Sequence, residues 1–295
     1  MKLGMTVEPI KGITLPKIIK LLKIIGLTHF ELNATIIPKA EEMNKYLGKI
    51  TTTFHLPIFD RFHYDLGTNN KEYEGKIDEI ITFLNQNRDS LNLQYVLTHP
   101  PEDPNSSFDS LISRLKLIEI PIIIENIQKQ SDEAFMEFYF KAKEQLGEKL
   151  AGHALDISHR FVTNNQNWLN IPPELVPEIK YVHISDCSKK TDLHLPLGLA
   201  ELPYNEFFGY LKEINYQGVI LQEIIPTIEQ IDHVYDSFLI GIKPFSKMKY
   251  VKMKMLFAIL KPLTQIKINS TYKQLSKFGY QNLIQEIGYE LGLKN

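Results

Sequence analysis

The sequence predicts an α/β fold, a (β/α)8 TIM barrel followed by a basic, helical C-terminal extension. Three observations carry this reading. Eight short runs rich in Ile, Val and Leu alternate with longer helical stretches, the pattern of a parallel sheet. All eight fall within about 240 residues, a length that closure into one barrel uses economically. An open doubly wound sheet would carry a Gly-rich phosphate turn after its first strand. Here that position reads Gly4-Met5-Thr6-Val7-Glu8-Pro9, and no GxGxxG or P-loop pattern occurs anywhere.

In order, Lys2–Val7 is the first strand and Leu15–Ile25 the first helix, and Thr28–Leu32 and Ile50–Phe54 supply strands two and three. The helix Lys76–Asn85 shows an apolar stripe of Ile77, Ile80, Ile81 and Leu84 at spacings of one, three and four, and leads to Tyr95–Thr98. Ser107–Leu117 precedes the strand Pro121–Ile124, and Asp132–Leu146 precedes His153–Leu155. Tyr181–Ile184 and Gly218–Gln222 flank the helix Tyr204–Ile214 and complete the set.

Composition narrows the class. With 43% hydrophobic and 23% charged residues in 295, the chain is neither collagen-like, disulfide-rich nor disordered, and it can bury a sizeable core. One cysteine, Cys187, excludes an internal disulfide and an all-thiolate metal site, and fits a reducing compartment. The start, MKLGMTVEP, lacks the charged and apolar regions of a secretory leader, and no run of about 18 apolar residues occurs. A cytoplasmic location is expected.

Charge divides the chain. Residues 1–236 carry 23 Lys and Arg against 33 Asp and Glu, a net of −10. Ser237 to Gln285 contains nine lysines and no Asp, Glu or Arg. The expected organisation is a metal-binding barrel over 1–240 and a lysine-rich extension over 241–295, where the asymmetry points to an anionic partner.

The metal expectation comes from the strand ends. Run two closes on Glu31, run three on His55, run four on His99, run five on Glu125-Asn126 and run six on Asp156, with His159 three residues on. Run seven closes on His183, the loop after it carries Asp192 and His194, and run eight closes on Glu223. In a barrel these ends share one mouth. A single such residue reads as a loop cap or a hydrogen-bonded structural group. Many imidazoles and carboxylates buried together need a cation to offset desolvation and repulsion. An all-nitrogen-and-oxygen donor set suits Zn, Mn, Co or Fe in an open catalytic site. Cys187 and His153 read as packing residues, Trp168 with Phe161 as either a cover over the mouth or core between elements, and His63 and Tyr64 equally as loop packing or substrate contact.

The ordered series Phe-His-Leu-Pro (54–57), Thr-His-Pro-Pro (98–101), Ile-Glu-Asn (124–126), Leu-Asp-Ile-Ser-His (155–159), Val-His-Ile-Ser-Asp (182–186), Asp-Leu-His-Leu-Pro-Leu-Gly (192–198) and Leu-Gln-Glu (221–223) resembles the xylose isomerase-like TIM-barrel superfamily over about residues 1–235. That superfamily includes sugar and sugar-phosphate isomerases and epimerases, and the endonuclease IV phosphodiesterases of DNA repair. The isomerase branch implies a carbohydrate substrate and one divalent metal (Mn, Zn or Co) held by Glu125, Asp156, His183 and Glu223. Glu125 and Glu223 then act as the catalytic acid and base, with His159 on a substrate hydroxyl and Lys190 or Arg160 available to a phosphate. The endonuclease branch implies three Zn ions held by those four residues together with His55, His99, His159, Asp192 and His194.

Departures favour the isomerase branch. The endonuclease pattern has a histidine where this chain has Gly4-Met5-Thr6, glycines where it has Ile127-Gln128-Lys129-Gln130, and a Gly-rich turn where it has His194-Leu-Pro-Leu-Gly198. The stretch Ser185-Asp186-Cys187-Ser188-Lys189 is nearer the endonuclease version. The acidic body opposes a duplex-binding face, although the lysine-rich extension could supply one. A binding protein with a lapsed site is the third class.

In the extension, a helix over 246–260 aligns Met248, Val251, Met255 and Ile259. Either this stripe packs on the barrel or a second subunit with a lysine rim, or the positive field docks nucleic acid, acidic lipid or an acidic protein. Pro244 and Pro262 are expected to bracket the segment.

Overall fold

Eight strands pair in parallel and in chain order, and β8 closes back onto β1. They are β1 (Lys2–Thr6), β2 (His29–Asn33), β3 (Thr51–His55), β4 (Leu93–Thr98), β5 (Ile122–Glu125), β6 (Leu150–Asp156), β7 (Ile179–Ile184) and β8 (Val219–Gln222). The structure is a computed structural model and describes residues 1–7, 15–225 and 230–277, without the side chains of 231 and 267–277. The side chains of Lys267, Lys273 and Lys277, and all of 278–295 in the expected extension, therefore lie outside the described residues.

The helices are α1 (Leu15–Ile25), α2 (Ala40–Leu47), α3 (Phe59–Phe62), α4 (Glu74–Asn87), α5 (Phe108–Leu117), α6 (Asp132–Leu146), α7 (Ile157–Thr163), α8 (Tyr204–Glu213), α9 (Ile231–Ile242) and α10 (Lys247–Lys277). Serines start two of them. Ser107 Oγ accepts from Ser110 N at 3.2 Å and Ser131 Oγ from Ala134 N at 3.2 Å, satisfying first-turn N–H groups that have no partner within the helix. The stripe Ile77, Ile80, Ile81 and Leu84 is the buried face of α4.

Alternation along the strands divides the interior in two. Val96, Ile122, Ile124, Val182 and Ile220 point outward into the main core beneath the helices. Leu97, Ile123, Ala154, Tyr181, Val219 and Leu221 form a separate cluster inside the barrel. His29 joins this inner layer, with its ring nitrogens 2.9 Å from Thr51 Oγ1 and 3.0 Å from Thr53 Oγ1. Burial lowers its pKa to about 3, with Lys2 and His183 adding to the effect.

Strand β6 begins three residues earlier than its apolar run suggests. Gly152 lies in the added stretch, and a Cβ there would lie 2.5 Å from Glu178 O. The residue marks a close backbone approach within the strand rather than its end. His153 is a wall residue, as expected. It is buried against Phe135 and Tyr139 with Nδ1 3.0 Å from Ile124 O.

Helix α10 runs antiparallel to α9. Tyr235 packs against Phe257 with the rings tilted and their centroids 4.8 Å apart, and bonds Thr264, while Lys261 pairs with Asp236 and Gln265 bonds Asp232. Met253 and Phe257 are buried, so the packed face is not the stripe through Met248, Val251, Met255 and Ile259, which faces solvent. Pro262 also departs from expectation, because the helix continues through it. Proline deprives the Ala258 carbonyl of its helical donor. Ala258 and Pro262 are both exposed, so water can satisfy that carbonyl.

Candidate metal centre

One step up each strand from the inner layer, the inward positions become imidazoles and carboxylates. Thr53 is followed by His55, Leu97 by His99, Ile123 by Glu125, Ala154 by Asp156, Tyr181 by His183, Leu221 by Glu223 and His29 by Glu31. A period of two therefore carries each strand from its core plug to the mouth.

Two local devices bring in the rest. Asp156 caps α7 by accepting from His159 N at 2.7 Å, which sets His159 beside it while leaving Oδ2 free to face the centre. The loop after β7 is gathered by Asp186. Its carboxylate accepts from the backbone N–H groups of Cys187, Gly198, Leu199, Ala200 and Leu202 at 2.7–3.0 Å. That loop carries Asp192 and His194. Asn126 bonds both backbone groups of Asp156 at 2.9 Å, holding the ends of β5 and β6 together.

All nine expected residues converge on one cluster. Glu125 lies 3.5 Å from His55 Nε2, 3.2 Å from His99 Nε2, 3.0 Å from His183 Nδ1 and 3.7 Å from His159 Nδ1. His183 Nδ1 is also 3.4 Å from Glu223 and 3.9 Å from Asp156. Asp192 lies 3.4 Å from His159 Nε2 and 3.7 Å from His194 Nε2, and His194 Nδ1 is 3.8 Å from Glu223. Among the described residues, three sets could hold a metal ion: His55, His99 and Glu125; Glu125, Asp156, His183 and Glu223; and Asp156, His159 and Asp192. Glu125 and Asp156 each belong to two sets.

Burial opposes charge throughout this cluster, and the neighbours decide the outcome. It pulls His183 down, but Glu125, Glu31 and Glu223 outweigh it and hold the imidazole well above its ordinary value. His99 likewise rises to about 9 beside Glu125 and Glu102, and His159 rises beside Asp156 and Asp192. Glu125 is held well below the carboxylate range because His183 and His99 overcome its burial. For Asp156 burial wins and, with Glu125 and Asp192 adding to it, raises the group to about 7. Protons on imidazoles thus balance the carboxylates, and each occupies a lone pair that a cation would take.

The residues fit a divalent cation. Among the described residues, Asp192 Oδ2 and His194 Nδ1 are buried without a hydrogen-bond partner, and both are lone-pair donors within the cluster. The donors are nitrogen and oxygen only, as Zn, Mn or Co accept.

The family model for the xylose isomerase-like TIM barrel matches residues 19–238. The chain belongs to that family. Among solved structures, this xylose isomerase-like barrel is similar to a D-tagatose 3-epimerase-like protein at TM-score 0.61 and 19% identity, covering 91% of this chain and 100% of the other. It is similar to the 3-keto-D-glucoside 4-epimerase of E. coli at TM-score 0.60 and 16% identity, covering 81% and 97%. It also resembles a family 2 AP endonuclease from Brucella melitensis at TM-score 0.55 and 13% identity, covering 76% and 93%. No curated protein sequence matches the chain. At these identities the structural likeness is one of fold.

Two residues of the xylose isomerase-like site carried no assigned role in the sequence. Glu31 Oε2 is 2.8 Å from His183 Nε2, and Glu102 Oε1 is 3.1 Å from His99 Nδ1. Glu31 had the strand-end signal, whereas Glu102 lies in a loop without any. Arg160 does not fit the suggested phosphate role, because its guanidinium is spent on Asp132 and the carbonyls of Trp168 and Asn170. Cys187 is buried and its thiol is pushed up by that burial, which leaves no nucleophile there. Trp168 and Phe161 pack edge to face in the core, Tyr64 is buried, and His63 is exposed on its loop.

Proposed function

We propose that this xylose isomerase-like barrel is a metal-dependent sugar or sugar-phosphate isomerase or epimerase that moves a proton next to a carbonyl. The carrying observation is the set Glu125, Asp156, His183 and Glu223, in which carboxylates from β5 and from the end of β8 both approach His183 Nδ1. A divalent cation held by these four would polarise the carbonyl and hydroxyl oxygens of a ketose. Glu223, with 20% of its side chain exposed against 1% for Glu125, is the carboxylate an entering substrate meets first. One glutamate takes the proton from carbon and the other returns it. His159 Nε2 donates to a substrate hydroxyl, while its Nδ1 stays on Asn126 O at 2.9 Å. The 3-keto-D-glucoside 4-epimerase and the D-tagatose 3-epimerase-like protein among the similar folds support the same reading.

A second reading rests on the two further sets, which share Glu125 and Asp156 with the first. Three Zn ions held across them would suit a phosphodiesterase, with clustered ions activating a water and stabilising the leaving oxygen. The net charge of −10 over 1–236 works against a duplex substrate. Metal analysis and proton exchange separate the two. The isomerase reading expects one exchangeable ion per chain and metal-dependent uptake of solvent deuterium into ketohexoses or their phosphates. Three tightly held Zn ions, cleavage of abasic DNA and no deuterium uptake would establish the phosphodiesterase instead.

A further inference from the structure

Helix α10 has two apolar faces, and among the described residues only one of them is covered. Met253 and Phe257 are buried against α9, with Lys261 and Gln265 tied to Asp236 and Asp232 on the same side. At about 100° per residue, Met248, Val251, Met255, Ile259, Leu263 and Ile266 line the opposite side. These six are 46–68% exposed and extend over about 27 Å of helix at 1.5 Å per residue. Lys249 and Lys252 flank the stripe on one edge and Lys247 and Lys254 on the other, all four exposed.

We propose that α10 is an interfacial helix that docks the barrel on an anionic lipid surface. Charge complementarity selects this occupant. A second copy of the helix would bring lysines against lysines, because residues 237–285 contain no acid to answer them. A nucleic acid duplex would meet the lysines but leave the apolar stripe without a partner. An anionic bilayer takes both: the apolar side chains enter the headgroup boundary, the lysine stems lie along them, and the ammonium groups reach the phosphates. No described helix is long and apolar enough to cross a membrane, so α10 lies in the plane of the surface. The barrel, at −10 over 1–236, is repelled by the same surface, which orients the molecule with α10 downward. This inference is independent of the chemistry at the barrel mouth.

The test is co-sedimentation of the full-length protein with phosphatidylcholine vesicles, with and without phosphatidylserine, across a salt series. Binding is expected only with phosphatidylserine, and it should weaken as salt rises. The paired change Met255→Ser and Ile259→Ser, and separately Lys247, Lys249, Lys252 and Lys254→Gln, should each lower partitioning by at least about tenfold. Both leave the packed face intact, so thermal melts should match the parent. The proposal is overturned by absence of binding to phosphatidylserine vesicles, by equal binding to both vesicle types, or by binding that survives both variants. A dimer that dissociates in Met255→Ser/Ile259→Ser without any vesicle binding assigns the face to a second copy. Retention of duplex DNA without vesicle binding assigns it to nucleic acid.

Discussion

Glu31 grips the ring nitrogen of His183 that faces away from Glu125. Nε2 lies 2.8 Å from Glu31 Oε2, while Nδ1 lies 3.0 Å from Glu125 Oε1, and all three residues are buried. A carboxylate behind an imidazole fixes its tautomer and orientation and raises the basicity of the other nitrogen. A residue at the middle of β2 thereby controls what β7 presents to the mouth.

Glu31→Gln should therefore weaken metal binding by about 10–100-fold, since partners behind a ligand typically matter to that degree. Titration of the apoprotein with Mn or Zn measures it. Affinity equal to the parent would remove Glu31 from the orienting role. His183→Ala should lose both metal and thermal stability, because Glu31, Glu125 and Glu223 then face one another without their common partner.

Glu125→Gln and Glu223→Gln should each reduce isomerase or epimerase turnover by about 10²–10⁴-fold at unchanged secondary structure. Of the two, Glu125→Gln should cost more metal affinity, because its carboxylate belongs to two ligand sets. Turnover assays paired with elemental analysis check this. A variant keeping more than about a tenth of parental turnover would falsify its acid-base role.

Asp186→Asn should destabilise the fold by about 3 kcal/mol or more, since a buried carboxylate accepting several backbone N–H groups cannot be matched by a neutral amide. Five such donors converge on it. Urea denaturation gives the loss. The same variant should loosen Asp192 and His194, so metal binding should weaken even where the barrel remains folded.

Acid should destabilise the protein through His153. Burial lowers its pKa from the ordinary 6.5 to about 4. Between those values the unfolded chain binds the proton and the folded chain does not, so stability falls as pH drops across that window. The slope is up to about 1.4 kcal/mol per pH unit for this group. His153→Gln should remove that share of the slope. Identical slopes between pH 6.5 and 4 in urea melts of parent and variant would dismiss the assignment.

The barrel and most of its mouth were legible in the sequence because both follow local periodicity. Ile123 and Glu125, or Tyr181 and His183, differ by one inward step on a strand, so an apolar run ending in a polar residue announces both core and site. The same signal is silent where a contact comes from outside the repeat. Glu102 reaches His99 from a loop, and Asn126 spends its amide on the backbone of the next strand. The start of β6 is silent too, since at Gly152 it is the neighbouring Glu178 carbonyl that leaves no room for a side chain. For α10, the order of residues is enough to specify a helix with apolar side chains and lysines. It could not determine which apolar face α9 covers, since Met253 and Met255 are alike in hydrophobicity and differ only by two residues of helical rotation. That choice belongs to the tertiary structure, because burial depends on the neighbour a face meets as well as on the residues that form it.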